Sequence, residues 1–118
     1  MTAAQYKTKF DTAQTNATNK AGTIDAFGGG ADRSLLWSTV AATWGFLYIE
    51  RSRFAKQGFT PSAAAEAYAT QAEQRLASAE ANSNTTIPVG LAYASIASNA
   101  AFLFAEQVRV DHTTPGEL

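Results

Sequence analysis

Apolar side chains recur at helical intervals in the first part of the chain. Between Ala3 and Phe27 they are separated by steps of three or four residues, and Lys, Gln, Thr and Asn fill most of the positions between them. Such spacing puts the apolar side chains on one face of a helix and leaves the opposite face to solvent. We predict a helix over about residues 3–27, with a helix broken near Asn19 or Gly22 as the alternative.

The second segment, about residues 31–57, follows three consecutive glycines and is apolar on nearly all sides. No charge occurs in the 16 residues from Ser34 to Ile49, and charges return at Glu50 and Arg51. A helix of this kind belongs in the centre of a bundle, in an interface between subunits or in a membrane. Gly58 is a suitable residue to end it, because glycine readily adopts the left-handed conformation found after helix C-termini.

Two further helices are predicted over about residues 61–82 and 87–110, each with a threonine and a proline near its start. The third carries a thin, alanine-rich apolar stripe, and its glutamates 66, 73 and 80 recur every seven residues. We interpret these three glutamates as a solvated acidic face. The fourth helix has no charge in the 19 residues 87–105, and residues 111–118 are predicted to form a loose tail.

Four helices with short connections, and no convincing strand, predict an all-α protein: a single domain folded as an antiparallel up-down four-helix bundle. The composition agrees, because 25 of the 118 residues are alanine, the best helix former. Charged residues make up 16% of the chain, below the ~25% that is usual in soluble domains. This deficit suggests that part of the surface is covered by something other than water.

Several classes of function are disfavoured by the residues that the chain lacks. The net charge of −1 offers no basic field for nucleic acid. The absence of cysteine excludes disulfides and thiolate zinc sites, and a single histidine, His112, excludes a histidine-based triad or a multi-histidine metal site within one chain. We therefore predict no catalytic residue, no metal site, no cofactor and no enzymatic activity. The polar N-terminus does not resemble a signal peptide.

The glycine run and the uncharged segments each admit a second interpretation. Glycines before a helix can bind an anion, but the known phosphate loops need a different spacing, so we predict a flexible turn. A membrane-spanning helix needs ~20 apolar residues. The segment Ser34–Ile49 is too short, and Pro88, Gly90 and Asn99 weaken the second uncharged run, so a membrane location is disfavoured.

Low charge and two almost wholly apolar helices favour a non-enzymatic structural or interaction protein. We predict a subunit of a larger assembly, built from copies of itself or with other protein subunits. The small size and Ala/Thr-rich composition suggest a viral (phage) virion or connector component, and the location is left open between the cytoplasm and a virion. Aromatic and basic residues dominate interface hot spots. The predicted interface residues are Trp37, Trp44, Tyr48, Arg51, Arg53 and Lys56.

Two other classes of function remain open. One is a small helical binding module that holds an apolar ligand in an aromatic-lined pocket, since the two tryptophans are seven residues apart on one helix. The other is a membrane-active protein. The residues predicted to line the pocket are Trp37, Trp44, Tyr48, Tyr93 and Phe104.

Overall fold

The computed structural model describes residues 1–114 and contains four α-helices within that range. They are α1 (Ala3–Ala21), α2 (Ala31–Gln57), α3 (Ala63–Ala81) and α4 (Ile87–Asp111). These residues form an elongated bundle of about 54 × 23 × 23 Å without any strand in the described part of the chain. The prediction of an all-α four-helix bundle is confirmed.

The bundle consists of two helical hairpins packed against each other. Helix α1 lies along α2, and α3 lies along α4, while the hairpins meet chiefly where α2 contacts α4. Because the chain reverses at each connection, α2 and α4 run in the same direction. Helix α1 reaches α3 through side chains, including the hydrogen bond from Tyr6 to Glu73. The two segments without charge therefore lie next to each other.

Small side chains bring the helices close together in the core. Gly90, near the start of α4, is buried, and a Cβ atom at this position would lie 2.5 Å from the Cδ1 atom of Leu36 and 3.1 Å from the carbonyl oxygen of Ala79. A larger residue at position 90 would push α4 away from α2 and α3. Further along, alanines fill most of the contact; the buried members are Ala65, Ala69, Ala72 and Ala79 on α3 and Ala94, Ala97, Ala100, Ala101 and Ala105 on α4.

The helix ends agree with the predictions in part. Gly58 ends α2 with φ of 75°, as expected for a left-handed C-terminal residue. Helix α3 begins at Ala63 instead of residue 61, because the Ser62 hydroxyl accepts a hydrogen bond from the Ala65 amide at 3.2 Å and so takes the capping position. Helix α4 continues to Asp111, so the predicted tail 111–118 begins inside a helix; residues 115–118 lie outside the described part of the chain.

The prediction that the first helix reaches residue 27 is wrong, and the alternative of a break near Gly22 is confirmed. Helix α1 ends at Ala21, with Gly22 as its C-terminal cap, and a turn follows. In that turn, one carboxylate oxygen of Asp25 accepts hydrogen bonds from the amides of Phe27 and Gly29, each at 2.8 Å. Gly28 and Gly30 have φ of 82° and 84°, which glycine adopts without strain. The glycine run is thus part of a hydrogen-bonded turn.

Candidate functional site

The outer surfaces of α2 and α4 form one continuous area without charge, which we call the uncharged face. On α2 its residues follow helical spacing: Leu35, Ser38, Thr39, Ala42, Phe46 and Ile49. On α4 its residues are exposed: Ala92, Ser95, Ile96, Ser98, Asn99, Phe102 and Leu103. Large apolar side chains on it are strongly exposed, including Leu35 at 57% and Phe102 at 55%. Contiguous exposed apolar surface of this kind marks interaction sites in soluble proteins.

A groove between the two helices lies at the centre of the uncharged face. Its volume is about 380 Å³. Both helices line it, which shows that their outer surfaces adjoin, and the rings of Phe46 and Phe102 provide its largest apolar side chains. The lining residues are Ser38, Thr39, Ala42, Thr43, Phe46, Ser98, Ala101 and Phe102. The groove is open to solvent and is not an enclosed ligand cavity. Its shape suits side chains that project from another protein surface.

Charged residues mark the two ends of the uncharged face. At the N-terminal end of α2, Asp32 is exposed. At the opposite end, Glu50 is buried and forms ion pairs with Arg109 at 2.8 Å and with Arg53 at 3.6 Å. The pair with Arg109 joins α2 to α4, while Arg53 and Lys56 stay exposed. The face therefore has an acidic residue at one end and basic residues at the other.

Helix α4 contributes the most apolar part of this face. By length and composition α4 could cross a membrane, since an 18-residue window has a mean hydropathy of 1.5, and 33% of that window is buried in the bundle. Its inner side packs against α2 and α3 through alanines, Phe104 and Val108. One such helix is weak evidence for a membrane location, because core helices of soluble proteins have the same length and composition.

The predicted interface residues separate into two groups. Tyr48, Arg53 and Lys56 line a second surface groove of about 460 Å³ next to Ile49. Trp44, in contrast, is 2% exposed and lies in the core, and Arg51 turns inwards to form a two-pronged ion pair with Glu66. Trp37 is half-buried and packs against the core. The sequence therefore located the basic end of α2, but it assigned two interior residues to the surface.

The residues predicted for a ligand pocket do not line a common cavity. Trp44 and Phe104 are buried in the core, and the Tyr93 ring lies 5.8 Å from the guanidinium of Arg75 on α3. Four surface grooves occur on residues 1–114. Tyr48 lines one of them, and the other predicted pocket residues line none of the four. Trp44 instead joins the two hairpins, because its indole donates a hydrogen bond to Glu80 on α3.

The interpretation of the α3 glutamates as a solvated face is correct only in part. All three are half-buried and point towards the α1–α2 hairpin, where each meets one partner. We call these contacts the polar seam: the Tyr6 hydroxyl donates to Glu73, the Trp44 indole donates to Glu80 at 3.1 Å, and Arg51 pairs with Glu66 at 2.7 Å. The seven-residue spacing that indicated one helix face was correct, but that face turns towards the neighbouring hairpin.

Arg51 is the centre of the polar seam. Its guanidinium lies 5.0 Å from the centroid of the Tyr6 ring and 4.6 Å from that of Phe104, so cation–π attraction adds to its ion pair. Hydrogen bonds from Arg51 hold the pKa of Glu66 below its ordinary value. Burial, together with the hydrogen bond to Glu73, raises the pKa of Tyr6. The seam therefore holds Tyr6 neutral and Glu66 ionised.

In residues 1–114, no group of three or more His, Cys, Asp or Glu side chains is placed so that it could hold a metal ion. The single histidine has a structural contact instead. The His112 ring stacks on Phe59 at 4.2 Å, and its Nδ1 atom lies 2.8 Å from the carbonyl oxygen of Val108. With the hydrogen bond from Ser62 to Asp111, this stacking fastens the α2–α3 connection to the end of α4.

Comparisons with protein-family models, curated proteins and solved structures find no match to this chain. The candidate site therefore depends on geometry alone. Phe102 and Leu35 were not among the residues predicted for the site. The spacing of 35, 39, 42, 46 and 49 on one side of α2 was a usable signal, but a helix that is apolar nearly all round does not show which side is exposed.

Proposed function

We propose that this protein is a non-enzymatic structural subunit that assembles with copies of itself through the uncharged face. The observation that carries the proposal is the arrangement of the two segments without charge. Their outer sides lie next to each other on the surface, where Leu35 and Phe102 are more than half exposed. Exposing such an area to water is unfavourable, and covering it releases the hydrophobic free energy of its apolar side chains.

The size of the face supports this function. Between Leu35 and Arg53, 18 steps of ~1.5 Å along α2 give a length of ~27 Å. Two neighbouring helices present a width of roughly 20 Å, given an interaxial distance of ~9 Å and a helix diameter of ~10 Å. Two copies would together cover roughly 1,000 Å² or more, which is close to the lower limit for specific interfaces.

The test is the oligomeric state in plain buffer over a wide range of protein concentration, measured by sedimentation velocity and light scattering. The wild-type chain is expected to form a discrete multimer. Phe102→Asp should shift it to monomer, because a carboxylate in the centre of a covered apolar face would be left without a partner. Phe27→Asp is the matched control, since Phe27 is fully exposed in the α1–α2 turn, away from the face, and it should assemble like the wild type.

Three results would contradict the proposal. If the wild-type chain stays monomeric at the highest protein concentration, the proposed self-assembly is excluded. A monomer that binds an apolar fluorescent probe in the groove between Phe46 and Phe102 would favour the ligand-binding alternative. A chain that dissolves only in detergent would favour the membrane alternative. Assignment to a virion, which depends on size and composition alone, stays a prediction.

A further inference from the structure

We propose that two copies of this chain pair across the uncharged face about a two-fold axis perpendicular to α2, so that the two α2 helices lie antiparallel. This inference depends on the proposed function, because it specifies the geometry of the same surface. The axis passes the midpoint of α2, near Thr43 and Trp44. Under this symmetry, each residue of α2 on the uncharged face lies opposite a residue of the second copy's α2 that is equally far from the midpoint on its other side.

The sizes of the side chains are complementary in this arrangement. With the axis at the midpoint, Ala42 faces Phe46 of the second copy, and Thr39 faces Ile49. In both of these pairs the smaller side chain lies opposite a larger one. The groove of about 380 Å³ beside Ala42 and Phe46 provides space for an aromatic ring from the second copy. Large side chains packed into recesses of this kind form well-packed interface cores.

The charges at the ends of the face favour antiparallel over parallel pairing. Asp32 is exposed at one end of α2, while Arg53 and Lys56 are exposed at the other. Within one chain, Asp32 and Lys56 are 24 residues apart, which is ~36 Å along the helix, so they cannot pair with each other. Antiparallel packing places Asp32 beside Lys56 of the second copy. Parallel packing would instead put like charges together, which is unfavourable.

Exchanging these charges tests the pairing. The single variants Asp32→Lys and Lys56→Asp should each weaken self-association about tenfold, because each turns two symmetry-related attractions into repulsions. The double variant Asp32→Lys/Lys56→Asp should restore the affinity. Both substitutions oppose the α2 dipole, so recovery in the double variant cannot come from a more stable helix.

Disulfide formation provides a second measurement, because the chain has no cysteine of its own. A mixture of Thr39→Cys and Ile49→Cys proteins should form a mixed disulfide dimer under mild oxidation. Thr39→Cys alone should not, because its two thiols would lie ~15 Å apart along the helices, beyond the reach of a disulfide. The control is Ala77→Cys, at an exposed position on α3. Its yield of disulfide dimer measures cross-linking by random collision.

The outcomes separate this inference from the proposed function. A monomeric wild type would overturn both. If the wild type assembles and Phe102→Asp disrupts it, but the double charge exchange does not recover affinity or Thr39→Cys links to itself, then the face is correct and the antiparallel pairing is wrong. Recovery in the double variant together with the mixed disulfide supports the two-fold arrangement.

Discussion

Polar side chains usually face solvent and apolar side chains usually lie inside, but the polar seam and the uncharged face of this protein show the reverse. In the seam, three glutamates of α3 turn towards the neighbouring hairpin and meet Tyr6, Trp44 and Arg51. On the face, Leu35 and Phe102 turn towards water although they belong to the least charged parts of the chain. Charge alone therefore does not show which side of a helix is inside in this protein.

The difference between these regions follows from whether the bundle itself supplies a partner. A polar group can leave water when it gains a hydrogen bond or an ion pair, and the α1–α2 hairpin supplies both to the α3 glutamates. An apolar side chain needs only surface to cover it. Four helices of this length cannot surround both α2 and α4 completely, so their outer sides remain available to a second molecule.

The largest expected effect is in the polar seam, at Tyr6. Tyr6→Ala removes a buried ring that contacts Trp44 and Arg51, and its cost to the free energy of unfolding should be about 3–5 kcal/mol. Phe27→Ala removes a ring of similar size that is fully exposed, and its cost should stay within about 0.5 kcal/mol. The free energies of unfolding of both variants should be measured by urea unfolding at the same protein concentration and compared. Equal losses would show that the seam does not join the hairpins.

An intermediate effect is expected from alkaline pH. The raised pKa of Tyr6 means that the folded state holds this proton more tightly than the unfolded state, whose tyrosine has a pKa of about 10. The resulting stability is fully present below pH ~10 and is lost as the pH rises towards the folded pKa, by at most about 1.4 kcal/mol per pH unit. Unfolding of wild type and Tyr6→Phe should be measured from pH 8 to 11. A slope that persists unchanged in Tyr6→Phe would assign it to other groups.

The smallest expected effect is on the uncharged face. Leu35→Ala should change the free energy of unfolding of the isolated chain by less than about 1 kcal/mol, because Leu35 is 57% exposed. Leu36→Ala, at the adjacent position, should cost about 2–5 kcal/mol, because Leu36 is fully buried and packs next to Gly90. Both variants are best measured in the Phe102→Asp background, in which we expect no contribution from self-association to stability. A large loss at Leu35 would place it in the core of the single chain.

Helical periodicity was enough to predict the four elements and most of their ends. The start and end of α2 at residues 31 and 57 match the prediction, since glycines bound the helix on both sides. The C-terminus of α1 does not, because the apolar steps continue through Ile24 and Phe27 although both side chains are exposed. There, Gly22 and the Asp25 hydrogen bonds end the helix in spite of the periodicity.

The candidate site was predicted less well than the fold. Tyr48, Arg53 and Lys56 were located near the surface where α2 ends, because charges that return after an apolar run mark a helix leaving the core. Trp44 and Arg51 were placed on the surface, because nothing in the sequence shows that Glu80 and Glu66 on another helix are their partners. Contacts between residues distant in sequence are set by how the hairpins pack.

The sequence by itself determined that this chain is helical, where its four helices lie, and that two of them carry too little charge for an ordinary solvated surface. Those properties are local, because they depend on propensity, spacing and the residues at helix ends. Only the tertiary structure decided that the α3 glutamates contact the α1–α2 hairpin and that the outer sides of α2 and α4 adjoin. The choice depends on which helices pack together, and in a bundle the close approach of small residues such as Gly90 and the α4 alanines sets that packing.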